Sequence, residues 1–264
     1  MKNRNGWSLH ALVFALLLGI PLSGVSLAAD CGDVNNSEGI DIDDCVYLIA
    51  YVFQGGPAPD CGVGPSEIGT VTDIDGNLYY TVKIGEQWWM LENLRVTHYR
   101  NGDAIPNVTD DAEWEGLSTG AYCDYDNDPA NVATYGRLYN WYAVGDSRNI
   151  APAGWHVPSD DEWQTLVDYL GGSSVAGGKM KEAGTTHWNP PNTGATNESG
   201  FSALPGGYRI HYGSFDMGFY TYFWSSTEYS SSYAWYRSLN YINSQVGRDY
   251  YDKRLGISVR CVRD

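Results

Sequence analysis

From Phe219 to Tyr251, twelve of 33 residues are aromatic, and Ser, Asn, Asp and Gly fill most of the gaps. Aromatic rings suit a pleated, half-buried surface, and the small polar residues between them are turn formers. This stretch of the chain is therefore restricted to strands and turns. Within it, Tyr233, Trp235, Arg237, Leu239 and Tyr241 alternate with Ala234, Tyr236, Ser238, Asn240 and Ile242. That is the two-residue period of a strand, and it assigns the two sets to opposite faces. The polar set predicts Tyr236, Ser238 and Asn240 outward, with Trp235 and Leu239 holding the frame. The same composition suits recognition: Tyr and Trp give large contact area at low entropy cost, and Ser, Gly and Asn give adaptable hydrogen bonds. An aromatic β core would use it too, so the rest of the chain has to decide.

The N-terminus reads as an export leader. Lys2 and Arg4 precede an apolar run from Ala11 to Leu22, and Leu27-Ala28-Ala29 offers a cleavage site. The run is about 12 residues, short of the ~20 that a spanning helix needs. No other segment is apolar enough to span a membrane. The expected mature protein is secreted or held at the cell surface. The whole chain carries 16 Lys and Arg against 32 Asp and Glu, a formal charge of −16. Loss of Lys2 and Arg4 with the leader makes it more acidic still. Nucleic-acid binding needs clustered bases, so it is not expected.

Five cysteines in an oxidising compartment imply disulfides with one thiol left over. The pairs expected are Cys31–Cys61 and Cys123–Cys261, leaving Cys45 free; Cys31–Cys45 is the alternative in the N-terminal part. Between Cys31 and Cys61, the stretch from Asp33 to Asp44 has the form of an EF-hand loop. Calcium takes oxygen ligands at loop positions 1, 3, 5, 7, 9 and 12. Those positions hold Asp33, Asn35, Ser37, the Gly39 carbonyl, Asp41 and Asp44. A helix should follow from about Asp43 to Phe53 and stop at Gly55-Gly56-Pro57. This module, residues 30–61, resembles a single dockerin repeat. The resemblance implies Ca2+ as its cofactor and a cohesin-like partner, although Glu38 stands where the loop usually has Gly. Residues 62–69 read as a linker.

The remainder, residues 70–264, opens with a predicted hairpin turning at Asp75-Gly76-Asn77. Trp88 and Trp89 follow as core candidates. Ser159-Asp160-Asp161-Glu162 is a capping box, and Trp163, Leu166, Val167 and Leu170 recur at helical spacing. A second helix is predicted over Val175 to Ala183. The last strand, Gly256 to Arg263, sets Ile257, Val259 and Cys261 on one side. Two helices between early and late strands give an α+β domain of mainly antiparallel strands whose termini pair.

Several runs then stand out in order: Tyr135-Gly136-Arg137-Leu138-Tyr139-Asn140-Trp141-Tyr142, Gly154-Trp155-His156-Val157-Pro158-Ser159, Gly200 to Arg209, Phe223-Trp224-Ser225-Ser226-Thr227-Glu228 and Ser258-Val259-Arg260-Cys261-Val262. Residues 70–264 thereby resemble the Fibrobacter succinogenes major paralogous domain. The resemblance implies a C-type-lectin-like fold near the sulfatase-modifying domains, in secreted or surface proteins.

Catalytic motifs are weak. Gly116-Leu117-Ser118-Thr119-Gly120 lacks the strand, helix and downstream partners of a nucleophile elbow. Asp124, Asp126 and Asp128 alternate like the start of a calcium loop, but Tyr135 falls at the closing position. The histidines are scattered without metal-ligand spacing. The expectation is a non-catalytic binding protein. Its ligand surface would comprise Tyr229, Tyr233, Tyr236, Asn240, Tyr241, Asn243, Arg248, Tyr250 and Tyr251, facing a polysaccharide or a surface protein. A structural envelope component is the alternative, and a sulfatase-modifying type of enzyme the more distant one.

Overall fold

A computed structural model describes residues 67–264. The leader, the calcium-loop residues Asp33 to Asp44, and Cys31, Cys45 and Cys61 lie outside the described residues. The first hairpin forms where the Asp-Gly pair predicts it. Strand β1 (Ile68–Thr72) begins two residues earlier than expected and pairs antiparallel with β2 (Leu78–Ile84). Asp73 fixes the turn: its carboxylate accepts hydrogen bonds from the amides of Asp75 and Asn77 and, at 2.7 Å, from the Tyr79 hydroxyl. Gly76 supplies the positive φ of 81° that a side chain would oppose. β3 (Gln87–Met90) continues the sheet.

The sequence predicts two helices in this domain; among the described residues there are five α-helical segments, because three short turns without an amphipathic period also close: α1 (Asp111–Glu115), α2 (Val132–Tyr135), α3 (Trp141–Val144), α4 (Asp160–Tyr169) and α5 (Ala176–Met180). Of these, α4 alone exceeds five residues. Its capping box forms as predicted: Ser159 Oγ accepts from the Glu162 amide, and Glu162 accepts from the Ser159 amide at 2.7 Å. Trp163, Leu166 and Val167 are its buried face. α5 is shorter than predicted, because Lys181 turns extended and bridges to Ala203.

A two-stranded ribbon joins β4 (Tyr122–Cys123) to β5 (Leu138–Tyr139). β6 (Trp155–His156) lies at the edge of the first sheet, whose order is β1-β2-β3-β12-β6. The last strand, β12 (Val262–Arg263), sits between β3 and β6, with Val262 opposite both Trp89 and His156. The first and last strands of the domain thus meet in one sheet. Its final residue is held as well: His156 contacts Asp264 and Glu162, each at 2.7 Å. Of the predicted closing strand only Val262–Arg263 is regular, but Ile257, Val259 and Cys261 do share one buried side.

Every element after Thr196 is a strand. β7 (Gly206–Ile210), β8 (Gly213–Met217), β9 (Tyr220–Glu228), β10 (Tyr233–Asn240) and β11 (Gly247–Asp252) form a second sheet in the order β11-β10-β9-β7-β8. Its pairs are antiparallel except β7 with β9. The fold is α+β, dominated by antiparallel sheet. No helix among the described residues is long and apolar enough to cross a membrane.

Aromatic packing ties the layers. Trp89 and Trp163 lie 4.7 Å apart, and Trp163, Phe201 and Phe223 complete a four-ring contact between the first sheet, α4 and the second sheet. Such pairs are worth about 0.5–1.5 kcal/mol beyond the area they bury. The Cys123–Cys261 bridge expected from the sequence does not form. Both thiols are free and buried. Cys123 is in β4 among Val108, Trp114 and Leu138, whereas Cys261 precedes β12 among the residues of the largest core cluster. Burial pushes the Cys123 thiol up to about 12 and raises Cys261 as well, so both are neutral packing groups.

Buried tyrosines set the alkaline limit of the fold. Burial, reinforced by Asp73, raises the Tyr79 hydroxyl, and burial raises Tyr139 and Tyr222. Their native pKa values exceed the ordinary value of ~10. The stabilisation they contribute is complete below about pH 10 and is lost as pH rises through the native values. Tyrosinate absorbance in an alkaline titration should therefore appear in two phases. Exposed tyrosines ionise first, and the buried set ionises only together with loss of the near-ultraviolet dichroism. A single smooth phase with the fold retained would contradict this.

Candidate ligand-binding surface

The second sheet is only partly covered: buried residues alternate with half-buried and exposed ones along β9 and β10, and no residue of β11 is fully buried. On β10 the predicted alternation holds: Trp235 stands opposite Tyr250 and Arg237 opposite Arg248 on one face, and Tyr236 stands opposite Asp249 on the other. Neither face is wholly core. Leu239 and Arg237 are buried while Trp235 and Tyr233 on the same face emerge; on the opposite face Ala234 is buried while Tyr236, Ser238 and Asn240 emerge. A register shift against β9 between Ala234 and Tyr236 marks the change. The sequence-based division therefore needs correcting. Trp235 is not a frame residue, and Tyr236 is half-buried against the main core cluster. Each face presents aromatic rings at the end its cover does not reach.

The first patch joins Tyr229, Tyr233, Trp235, Arg248 and Tyr250. Tyr229 and Tyr250 stack in parallel with ring centres 3.8 Å apart. Trp235 meets both edge-on, at 5.1 and 5.6 Å, and Tyr233 meets Tyr250 at 5.9 Å. The Arg248 guanidinium lies 3.6 Å over the Trp235 ring, a geometry worth about 0.5–1 kcal/mol at an exposed site. Tyr229, Tyr233, Arg248 and Tyr250 are all exposed.

Asp160, at the start of α4, orients this cation. Its carboxylate takes Arg248 at 2.7 and 3.0 Å and the buried Arg237 at 2.5 Å. Burial disfavours the Asp160 charge, but the hydrogen bonds of Arg248 and the charge of Arg237 outweigh it and hold the carboxyl below its ordinary value. One buried carboxylate thus anchors two guanidiniums, and the exposed one is pinned flat on Trp235.

The second patch lies on the other face. Tyr236, Tyr222, Tyr208 and Phe215 come from β10, β9, β7 and β8, one ring per strand across the sheet. Successive centres are 5.8, 5.4 and 5.8 Å apart. Tyr220 stacks on Tyr222, and Tyr212 meets Phe215 edge-on. Tyr251, opposite Ala234, belongs to the same face. The predicted surface residues Tyr236 and Tyr251 fall here. Tyr208, Tyr212, Phe215, Tyr220 and Tyr222 were missed by sequence reasoning, although the alternation of Tyr220 and Tyr222 with Thr221 and Phe223 carried the signal.

Asn240, Tyr241 and Asn243 are not brought into either patch. Asn240 Oδ1 accepts from the amides of Ile242 and Asn243, shaping the turn after β10. The carbonyls of Asn240 and Asn243, with that of Thr193, accept from Lys181 Nζ at 2.9, 2.9 and 3.1 Å. Lys181 is fully buried, and burial draws its pKa down to about 8. It remains an ammonium at neutral pH, and its three donors match the three carbonyls. Tyr241 packs edge-on against Phe219 at 5.1 Å.

Several other titratable groups are paired. His98 pairs with Asp75, His187 with Glu182, and Asp124 with Arg137. Asp128 caps the turn at Ala130. Among the described residues no group of three or more His, Cys, Asp or Glu side chains is placed to hold a metal ion. Ser118 lies in a loop.

No curated protein and no solved structure matches this chain. The profile of the Fibrobacter succinogenes major domain matches residues 82–263. That span runs from the middle of β2 through β12 and includes both aromatic patches. The chain belongs to the Fibrobacter succinogenes major domain family.

Proposed function

We propose that the protein is a secreted or cell-surface, non-catalytic binding protein, and that Tyr229, Tyr233, Trp235, Arg248 and Tyr250 form its ligand-contacting surface. The observation that carries this reading is a cluster of three exposed tyrosines, Tyr229, Tyr233 and Tyr250, packed with the half-buried Trp235, on which an oriented guanidinium is stacked. Aromatic and Arg clusters are the anchors that dominate binding energy at recognition surfaces. The leader-like N-terminus supports export. The buried, neutral thiols and the carboxylate pairing of His98, His156 and His187 support a non-catalytic role. In this reading the domain is C-type-lectin-like, and the dockerin-like repeat with its calcium ligands Asp33, Asn35, Ser37, Gly39, Asp41 and Asp44 serves attachment through a cohesin-like partner. The ligand is a polysaccharide or a surface protein.

A structural envelope role is the second reading, favoured by the parallel stack of Tyr229 on Tyr250, which satisfies one face of each ring without a ligand. A panel of polysaccharides and envelope proteins, probed with the wild-type chain and with the Tyr229→Ser/Tyr250→Ser variant, separates the two. The binding reading expects at least one retained ligand and a loss of about tenfold or more in the variant. Retention of nothing by the wild type favours the structural role.

A further inference from the structure

We propose that the opposite face of the second sheet is a separate platform for an extended, neutral, hydroxyl-rich polysaccharide. Tyr236, Tyr222, Tyr208 and Phe215 set one ring on each of four adjacent strands, so contact runs from strand to strand across the sheet, with successive rings turned by 67°, 85° and 33° to one another. Tyr212, in the turn between β7 and β8, meets Phe215 beside the row, and Tyr251 lies on the edge strand β11. The ring spacings of 5.4–5.8 Å are set by the strand separation. They are comparable to the advance of one hexose along an extended β-linked chain. A linear repeating ligand meets such a row in register; a folded protein has no reason to.

Charge selects among glycans. No Lys or Arg stacks on any ring of this row among the described residues, in contrast to Arg248 on Trp235 across the sheet. Two carboxylates stand beside the middle of it, and the His211 ring meets Tyr212 edge-on at 4.5 Å at one end. Asp216 lies 3.4 Å from the Tyr222 hydroxyl, and Asp249 stands opposite Tyr236. Carboxylates accept hydrogen bonds from sugar hydroxyls and repel uronates and sulfates. Aromatic faces and hydroxyls bordered by carboxylates therefore suit a neutral sugar chain. The row also leaves its end residues available: Tyr212 is 61% and Tyr251 48% exposed, while the middle rings are half-buried and locked by their neighbours.

The test is affinity electrophoresis of the full chain through gels containing a neutral β-glucan, a neutral mannan or polygalacturonate. Three proteins are compared: wild type, Tyr212→Ser/Tyr251→Ser, and Tyr229→Ser/Tyr250→Ser. The substituted tyrosines are exposed, and near-ultraviolet dichroism checks that each variant is folded. The expected result is retardation of the wild type by a neutral polysaccharide, unchanged by added salt. That retardation should weaken about tenfold in Tyr212→Ser/Tyr251→Ser and persist in Tyr229→Ser/Tyr250→Ser. Retardation by polygalacturonate alone, or by no gel, overturns the platform. So does loss in Tyr229→Ser/Tyr250→Ser with retention in Tyr212→Ser/Tyr251→Ser, a result that would leave the first patch standing as the binding surface. A protein ligand from the panel that is lost only in Tyr212→Ser/Tyr251→Ser would also overturn it.

Discussion

Arg260→Met is expected to destabilise the domain by about 3–5 kcal/mol, measured as a fall in the urea midpoint at an unchanged slope. Arg260 is buried at the centre of the fold. Its guanidinium donates to Asn93 Oδ1 at 3.0 Å, to the Ser202 carbonyl at 3.0 Å and to the Phe201 carbonyl, and it stacks 4.3 Å over the Phe201 ring. These contacts fasten the segment before β12 to the loop before β7 and to the turn after β3. Burial draws its pKa down to about 9, so it remains a cation at neutral pH. Methionine fills part of the volume but strands at least three acceptors, each costing about 1–3 kcal/mol when buried unsatisfied. Arg260→Lys should recover part of the loss, because one ammonium reaches fewer of the acceptors that the fork spans. A change below about 1 kcal/mol for Arg260→Met would mean that the fork is not integral to the core.

Asp160→Ala should be nearly as damaging, and it also reaches the binding surface. Removing the carboxylate leaves Arg237 buried without its counter-charge, a change of about 3–5 kcal/mol in buried pairs. It also releases Arg248, whose position over Trp235 depends on its contacts to Asp160. Arg248→Ala, by contrast, removes a half-exposed partner and should change stability little while weakening ligand binding. The pH dependence has a definite sign. The native Asp160 carboxyl is held below its ordinary value, so its contribution is complete above about pH 4 and is lost as pH falls through the native value. Wild type should therefore lose its advantage over Asp160→Ala in acid. An advantage that persists undiminished there would show that the carboxylate charge is not what matters.

Local signals in the chain were read directly. Ser159 and Glu162 cap α4 as their spacing requires, Asp75-Gly76 turns the first hairpin, and Ile257, Val259 and Cys261 share a buried side. The two-residue alternation along β10 also holds. What alternation does not encode is where the cover on each face stops. Trp235 and Leu239 lie on one face, yet Leu239 packs under α4 and its neighbours while Trp235 passes beyond them. Tyr236 was assigned outward by the same logic and is half-buried. The row of Tyr208, Phe215, Tyr222 and Tyr236 was illegible because its members are spread over four strands, and only the β7–β9 parallel pairing brings them abreast. Asp160, Arg237 and Arg260 look like surface charges in sequence; their burial depends on partners up to 170 residues away. The Cys123–Cys261 expectation failed for a related reason: parity and compartment say that thiols pair, not that two given strands lie together.

The most direct test of the recognition surface is amide chemical-shift mapping of the labelled protein titrated with the ligand its panel retains most strongly. The predicted result is that saturable shifts concentrate at Tyr229, Tyr233, Trp235, Arg248 and Tyr250, and that Arg248→Ala weakens the titration without unfolding the domain. Shifts concentrated instead around α1 and the 116–131 loop, with the aromatic cluster silent, would contradict it.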